Sequence, residues 1–442
     1  MCALSRRDFV HTTALGTIAM IRTPLGPNGP QDQGWKQLRI NGDRLNKHLV
    51  NLSQFGRIPE GGVNRIAFSP ADIEGRGFTM QLMRDAQLEV HIDPAGNIIG
   101  RREGHLPDLP PILFGSHIDS VPEGGNYDGD LGTMAAIETA QSLAEAGYQN
   151  RHPLEVIVWC DEEGGLTGSR AITGILPEEE LTDLGRDGVS LREKIRRIGG
   201  DPDRIADAKR ERGEVAAYLE LHVEQGRILY DQGIQVGVVE GIVGIHQYDV
   251  TIEGFANHAG TTPMNIRKNA MLTAAEIVLT VDRVVKSKPG RQVGTVGRLT
   301  LEPGAPNVVP GLVSLTVELR DLDSAKIGAL WAEIHTEIDQ LAEKYGTPTH
   351  YERARTNDPA LSDPQIRELI AAAADDLGLS SLHMPSGAGH DAQTLAMICP
   401  VGMIFVPSVE GISHSPREFT EPEDVVNGGN VLLQTIVRLD RA

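Results

Sequence analysis

Residues 115–132 hold the side chains from which a metal centre can be built. The segment reads GSHIDSVPEGGNYDGDLG and brings four such residues close together along the chain: His117, Asp119, Asp128 and Asp130. Unpaired carboxylates away from water are very costly, so a buried loop of this kind needs a compensating cation. One imidazole with several carboxylate oxygens suits a divalent ion of the zinc or manganese kind. Taken alone, the segment is also compatible with a solvated acidic loop.

Three further apolar stretches end in the same residue types. Residues 155–160 (EVIVWC) run into DEEG at 161–164, residues 218–221 run into His222, and residues 401–406 lead to His414. The first segment likewise follows an apolar run at 112–114, which is typical of a buried strand. Open α/β sheets place their ligands outside the carboxyl ends of the strands. Four strand ends of this composition therefore predict one shared metal site.

The elements around these segments indicate an α/β fold with a mainly parallel sheet. From residue 35 to 245, predicted helices at 45–52, 77–86 and 131–146 alternate with short apolar strands. Asp130 is the expected N-cap of the third helix. From 246 to 356 the order is β-α-β-β-α-β, the ferredoxin-like arrangement, with helices at 263–285 and 324–345. We therefore expect a larger domain at 35–245 and 357–442, completed by a helix at 363–377 and the strand 401–406, with a smaller α+β domain inserted at 246–356.

Composition and the amino terminus restrict partners and location. Hydrophobic residues make up 40% and charged residues 23%, as in soluble globular proteins, and the formal charge of −20 argues against nucleic acid or an anionic membrane as a partner. Residues 1–34 contain SRRDFV, a mildly apolar stretch and a Pro/Gly-rich segment, which resemble a twin-arginine export signal and linker. The prediction is a periplasmic or secreted enzyme without a membrane segment in its mature form; a disordered basic start would leave it cytoplasmic. Cys160 and Cys399 are expected to be buried thiols.

Eight segments together resemble one known family, the amidase/hydantoinase/carbamoylase branch of the dinuclear metallopeptidases. This branch belongs to the clan that includes aminoacylase and glutamate carboxypeptidase. The resemblance extends from about residue 38 to 439. It is carried by GSHIDSVPEGGNYDGDLG, DEEG, GSRAITG, LHVEQG, NHAGTTPM, ELRDLD, SGAGHDAQ and FVPSVEGISHSPREFT.

The resemblance implies two divalent ions per subunit, zinc first, with manganese, cobalt or nickel as alternatives. His117 and His222 would bind one ion, Glu163 and His414 would bind the other, and the two oxygens of Asp128 would bridge them. Asp119 would accept the second ring N–H of His117 and fix its tautomer. Glu162 would be the general base that takes a proton from the attacking water.

The same resemblance implies substrate contacts from both domains. The inserted domain would act as a lid and a dimerisation surface, with His258 polarising the scissile carbonyl from its own or the partner subunit. Four further residues would contact the substrate: Gln225, Asn307, Arg320 and His390. The planar fork of Arg320 suits a carboxylate, although an ion pair with Asp321 or Asp323 is an alternative for this residue. A hydrogen-bonded turn residue is the alternative for His258, and His390 could equally be a structural partner of Asp391.

The predicted activity is hydrolysis of the carbamoyl C–N bond of N-carbamoyl-L-amino acids or related linear ureides, by a homodimer. Allantoate amidohydrolase is the second prediction, a dipeptidase or aminoacylase-like hydrolase the third, and a non-catalytic metal-binding protein the alternative outside enzymes. One departure from the family pattern lies beside the predicted site. The segment EEGGLTGSRA is shorter than in many family members and lacks their Arg-Phe pair, which suggests a different substrate preference.

Overall fold

A computed structural model of the protein describes residues 34–185 and 187–442. The predicted twin-arginine segment lies outside the described residues. Residues 34–37 form a short 3₁₀ helix, and residues 38–442 form a single unit. No helix in the described ranges is long and apolar enough to cross a membrane.

The helices and strands are numbered in chain order over the described residues. The helices are α1 (Gly42–Leu52), α2 (Pro70–Asp85), α3 (Asp130–Glu145), α4 (Glu162–Gly165), α5 (Thr167–Ile172), α6 (Leu191–Arg197), α7 (Ile228–Gln232), α8 (Ala270–Ser287), α9 (Ser324–Tyr345), α10 (Pro364–Asp376), α11 (Asp391–Leu395) and α12 (Pro422–Arg441). The strands are β1 (Glu89–Ile92), β2 (Ile98–Arg102), β3 (Ile112–His117), β4 (Leu154–Trp159), β5 (Ala217–Val223), β6 (Val236–Ile242), β7 (Gly244–Glu253), β8 (Asn257–His258), β9 (Val293–Glu302), β10 (Val308–Val309), β11 (Leu312–Asp321), β12 (Thr349–Asn357), β13 (Ala360–Leu361), β14 (Ser381–Ser386) and β15 (Val401–Val406).

The larger sheet contains the four strands that end in the predicted ligands. Its order in the described part is β1-β2-β4-β3-β5-β15-β6-β13, with β14 also paired to β6. The central strands β4, β3, β5 and β15 are parallel, so their carboxyl ends share one edge. The parallel strands are buried along their whole length, because helices pack against the sheet: α3 and α12 together contact β3, β5 and β15, α11 contacts β5 and β15, and α5 contacts β4. The predicted fold class is confirmed.

The smaller sheet is antiparallel, in the order β12-β7-β11-β9, with α8 and α9 packed against one face. It has its own apolar core, in which Tyr248 stacks on Trp331 with ring centroids 3.6 Å apart. The β-α-β-β-α-β order is therefore confirmed, with a short β8–β10 pair added. The start of α8 was predicted wrongly at residue 263. The helix begins at Ala270, because the Asn269 side chain accepts from the backbone N–H of Met271 and caps it there.

The two sheets are joined where β6 passes into β7. Only Val243 separates these strands, and β12 returns the chain beside β7, with Asn357 opposite Ile245. Entry to the smaller sheet and exit from it therefore lie side by side.

Candidate active site

The carboxyl ends of the four parallel strands bring the predicted metal ligands together. His117 is the last residue of β3, and His222 lies one residue before the end of β5. After β4, Asp161 adopts a left-handed conformation (φ 57°, ψ 50°) and turns the chain into α4, which begins with Glu162 and Glu163. His414, also at positive φ (52°), follows β15 through a longer loop. Non-glycine residues in this conformation are uncommon and here they lie at the predicted site.

Asp128 lies at the centre of the cluster, with one oxygen facing each group of predicted ligands. Its Oδ1 is 3.1 Å from Nε2 of His222 and 3.5 Å from Nε2 of His117. Its Oδ2 is 3.3 Å from Nε2 of His414, whose Nε2 is also 3.5 Å from Glu163 Oε1. Asp128 therefore belongs to two donor groups at once, one with the two buried histidines and one with Glu163 and His414. In each group the donor atoms all lie within 4.8 Å of one another.

Hydrogen bonds from the other ring nitrogen leave Nε2 of both buried histidines directed at Asp128. Nδ1 of His117 donates to the backbone carbonyl of Asp119 (3.0 Å), and Nδ1 of His222 donates to that of Val223 (2.9 Å). Such bonds select the tautomer in which Nε2 carries the lone pair. In His222 this lone pair also accepts from the backbone N–H of Gly129 (3.2 Å). The predicted residue is correct but the predicted atom is wrong: the backbone oxygen of Asp119, and not its carboxylate, accepts from His117.

The Asp119 carboxylate supports the other side of the site. Its two oxygens accept the backbone N–H groups of Glu162 (3.2 Å) and Glu163 (3.1 Å), the orphan donors at the start of α4. Asp119 thus fixes the position of the two predicted glutamates relative to His117.

The pKa values show how strongly the carboxylates crowd one another. Burial raises the pKa of Glu162 well above its ordinary value, and burial together with Asp128 raises the pKa of Glu163. Burial would also raise the pKa of Asp128, but His222, His117 and His414 hold it well below its ordinary value. Several acids so close together are stable only with positive charge among them. The donor set and this crowding fit divalent cations, with imidazole and carboxylate ligands in both groups.

Arg65 is a buried residue that sequence reasoning missed. It forms an ion pair with Asp130, and both side chains are only 1% exposed. Its Nε donates to Ile118 O (2.6 Å) and its Nη1 to the carbonyls of Leu52 and Phe55 (2.9 Å each). Arg65 therefore ties the chain after His117 to the turn that carries Asp128. In the sequence, the signal for a buried role was that Arg65 directly precedes the apolar run IAF at 66–68.

The Arg65 contact also corrects the expectation for Asp130. The N-cap position of α3 belongs to Gly129 (φ 67°), and Asp130 is the first residue of the helix. A Cβ at Gly129 would overlap the imidazole of His117, so the close approach of this turn to the histidine requires glycine.

Glu418 is a second missed residue, and it fixes the Asp128 loop from the opposite side. Its Oε1 accepts the backbone N–H groups of Tyr127 and Asp128, both at 2.9 Å. The hydroxyl of Ser413 lies between Glu418 Oε2 (2.7 Å) and Asp128 Oδ2 (3.1 Å). Burial raises the pKa of Glu418 to about 7. In the sequence, Glu418 lies in PREFT (416–420), four residues after His414, and this proximity to a predicted ligand was not used.

A cavity of about 1050 Å³ opens beside the cluster. All five predicted metal ligands and Glu162 line it, together with Gln225 and His390. Gln225 Nε2 donates to Asp128 Oδ2 (2.7 Å), and Nε2 of the buried His390 lies 2.9 Å from the Ser386 hydroxyl. Burial and the nearby His222 hold the pKa of His390 well below its ordinary value, so it is a neutral ring. The cations in the wall are Arg355 and Arg170, the latter paired with Glu180.

The three predicted contacts from the smaller sheet do not line this cavity in the single chain. His258 lies on β8 and Asn307 just before β10, and the backbone carbonyl of Asn307 accepts from Ala259 N–H (2.8 Å). Nδ1 of His258 accepts from the backbone N–H groups of Gly260 and Thr261. Arg320 pairs with Glu318 rather than Asp321 or Asp323, and its Nη1 donates to Gly387 O (2.6 Å), beside the cavity-lining Ala388.

Comparisons with known proteins agree with this geometry. The family model for peptidase family M20/M25/M40 matches residues 113–438. An N-carbamoyl-L-amino acid amidohydrolase of Geobacillus stearothermophilus is 41% identical over 405 residues, which cover 90% of this chain and 99% of that protein. A ureidoglycolate hydrolase of Arabidopsis thaliana is 36% identical over 91% of this chain and 87% of its own length.

A solved structure extends the likeness to three dimensions. The crystal structure of an amidase of the hydantoinase/carbamoylase family from Burkholderia multivorans gives a TM-score of 0.86 at 33% identity, over 92% of this chain and 99% of that one. These matches confirm the predicted family and the prediction of a hydrolase acting on C–N amide bonds. The chain belongs to the M20/M25/M40 peptidase family, among the amidohydrolases of the hydantoinase/carbamoylase type.

Proposed function

We propose that this enzyme hydrolyses the carbamoyl C–N bond of N-carbamoyl-L-amino acids. The observation that carries the proposal is the position of Asp128, whose two oxygens face the two donor groups, with Glu162 in the wall of the same cavity. A family relative named for N-carbamoyl-L-amino acids, 41% identical over nearly its whole length, supports the substrate class.

Two divalent ions fit the donor atoms. His117 and His222 would hold one ion and Glu163 and His414 the other, with Asp128 shared, and zinc is the first choice, ahead of manganese, cobalt and nickel. Two ions in such a site lower the pKa of water and polarise a substrate carbonyl.

Glu162 is the proposed general base. Its carboxylate oxygen lies 3.8 Å from His117 Nε2, and its buried position raises its affinity for a proton. In the proposed reaction Glu162 takes a proton from water as the water oxygen attacks the carbamoyl carbon. It then returns the proton to the amino-acid nitrogen as the C–N bond breaks. The products are the free amino acid and carbamate, which decomposes to ammonia and carbon dioxide.

The substrate contacts are assigned to both sheets. Gln225 and His390 line the cavity and are proposed to contact the ureido group. Arg320 is proposed to hold the substrate carboxylate after the smaller sheet turns toward the cavity, and Arg355, already in the wall, is the competing candidate. Arg320→Gln and Arg355→Gln distinguish the two, because loss of the anchor raises KM for acidic substrates without a matching fall in kcat.

A homodimer and a moving lid are proposed from the position of His258 and Asn307. His258 lies on β8 and Asn307 just before β10, and both are exposed and outside the cavity wall of their own chain. In the proposal these residues reach a cavity by lid closure or from the partner subunit, with residues 246–356 as the lid and dimerisation domain. Mixing His258→Ala with Glu162→Gln subunits tests this assignment. Recovery of activity in the mixture requires the partner arrangement, and its absence in a proven dimer places His258 in its own subunit's site.

The central experiment is a release assay for ammonia and amino acid. The panel contains N-carbamoyl-L-amino acids, ureidoglycolate, allantoate and dipeptides, each with zinc and with manganese. Glu162→Gln should abolish turnover while retaining the ions, whereas Glu179→Gln, an exposed acid outside the cavity, should leave kcat unchanged. Appreciable turnover by Glu162→Gln contradicts the assigned base. Ion binding without turnover of any panel member favours a non-catalytic metal-binding protein.

Ureidoglycolate is included because a relative 36% identical is named for it, and allantoate as the second predicted substrate. We also propose export to the periplasm through the twin-arginine segment. Replacing Arg6 and Arg7 by Lys should retain the enzyme in the cytoplasm on cell fractionation. Unchanged periplasmic activity contradicts the proposed route.

A further inference from the structure

A second cavity lies at the opposite end of the parallel strands. It measures about 840 Å³ and borders Ala216, just before β5, and Pro400 and Val401, at the start of β15. We call it the amino-end cavity, because the metal cluster occupies the carboxyl ends of the same strands.

Two guanidinium groups in the wall of the amino-end cavity have no acid partner. Arg212 and Arg367 both line it, and neither forms an ion pair with any residue in the described ranges 34–185 and 187–442. Nε of Arg367 is buried with no hydrogen-bond acceptor. A buried donor left unsatisfied is costly, and native structures rarely contain one without a water or ligand to accept from it.

The other charged groups of the wall have local partners. Arg291 forms an ion pair with Glu240 and donates to His383 O (3.1 Å). The carboxylate of Asp363 accepts the backbone N–H groups of Gln365 and Ile366 and so caps α10. The wall therefore holds three arginines against the carboxylates of Glu240 and Asp363, and its net positive charge favours an anion.

Much of the remaining wall is apolar and would contact the hydrocarbon part of a bound anion. Val215, Ile398 and Val401 are buried side chains of the wall, and Leu322 adds a partly exposed one. Arginine binds carboxylates through two parallel N–H groups, and its Nε edge supplies one of them. We propose that the amino-end cavity is a binding site for a small aliphatic monocarboxylate, with its carboxylate on Arg367 and Arg212 and its chain on the apolar wall.

The position of the site links it to the active-site cavity. Leu361 and Ala396 line both cavities, and Arg291 and Leu322 come from the loops next to β9 and β11 of the smaller sheet. A bound carboxylate thus contacts both sheets at the segment where the chain returns from the smaller one. A carboxylate bound in the amino-end cavity would restrain the movement of one sheet relative to the other. The proposed lid closure depends on this movement.

The test is hydrogen–deuterium exchange of the metal-loaded enzyme with butyrate as the probe. Butyrate should slow exchange in peptides covering 212–216 and 362–367, which border the amino-end cavity and not the active-site cavity, and the uncharged butyramide should not. Arg367→Gln and the exposed Arg212→Gln should each weaken the apparent affinity by about tenfold or more. Arg57→Gln, an arginine outside both cavities, should leave it unchanged.

The location of the protected peptides separates this site from the active site. Protection confined to peptides around residues 113–130 and 160–170, or equal protection by butyramide, overturns the proposal. So does an affinity unchanged in both arginine variants. Because Arg212 is exposed, its variant keeps the test decisive if Arg367→Gln fails to fold. Failure of the hydrolase assay has no bearing on this readout.

Discussion

Replacing Arg65 by Met tests whether one buried ion pair determines the geometry of the metal site. Arg65 and Asp130 are both 1% exposed, so removing the guanidinium leaves a carboxylate without its counter-charge in the interior. Breaking a buried pair from one side costs about 3–5 kcal/mol. The carbonyls of Ile118, Leu52 and Phe55 lose a donor in the same step, which places the expected loss toward the upper end of that range.

The effect on metal binding follows from the two segments that Arg65 connects. One segment follows His117 and the other carries Asp128, so a displacement of one segment relative to the other moves two proposed ligands of the same ion. Loss of the residues that orient metal ligands typically weakens metal affinity 10–100-fold. We expect a fall of this size in zinc affinity, measured by competition with a chromophoric chelator, beside the loss of stability measured by urea unfolding of the metal-free protein.

Two control variants separate the causes. Arg44→Met removes an arginine from Glu138 and Glu145, near the other end of α3, and should lower stability without changing zinc affinity. Arg65→Met combined with Asp130→Leu removes both buried charges and should recover much of the lost stability. A loss below about 1 kcal/mol for Arg65→Met, or an unchanged zinc affinity at the expected loss, refutes the reasoning.

Three further predictions use other parts of the structure. Gly129→Ala and Gly147→Ala both place alanine at positive φ (67° and 65°), but only the alanine at 129 overlaps His117. Zinc affinity should therefore fall in Gly129→Ala and stay constant in Gly147→Ala. Equal zinc affinities in the two variants would refute the importance of this contact. Glu418→Ala removes the acceptor of two backbone N–H groups beside Asp128 and should weaken zinc binding 10–100-fold by the same competition assay. Burial raises the pKa of Asp72 from 3.8 to about 6, so the native state retains a proton that the unfolded chain loses, and stability is lost as the pH rises through this window. Asp72→Asn should therefore match the metal-free wild type at pH 4 and exceed it by about 2–3 kcal/mol at pH 8 in urea unfolding, and a difference that is independent of pH contradicts the cause.

The parallel strands and the cluster of His, Asp and Glu residues at their carboxyl ends were predictable because each has a local signature. Residues 401–406 are uniformly apolar and form β15 with the predicted bounds, and the ligands follow strands of this kind directly. The start of α2 was harder to predict. The helix begins at Pro70, seven residues before the predicted start, because Ser69 caps it and accepts from Asp72 N–H.

The support of the site was not predictable, since it depends on residues distant in sequence. Arg65 meets Asp130 across 65 positions, and Glu418 meets Asp128 across 290. Neither separation has a period or a motif that a single sequence reveals. The antiparallel β6 likewise joins β15 through contacts that alternation of helices and strands does not predict.

The side-by-side entry and exit of the smaller sheet make residues 246–356 an exchangeable cassette. Because Ile245 and Asn357 are paired partners on neighbouring strands, a short turn could close the gap left by excising the segment between them. The parallel strands that carry the ligands would keep their neighbours, since all of them lie in the other sheet. If the smaller sheet supplies the proposed substrate contacts, exchange of the cassette would change substrate choice and leave the strands that carry the candidate ligands in place.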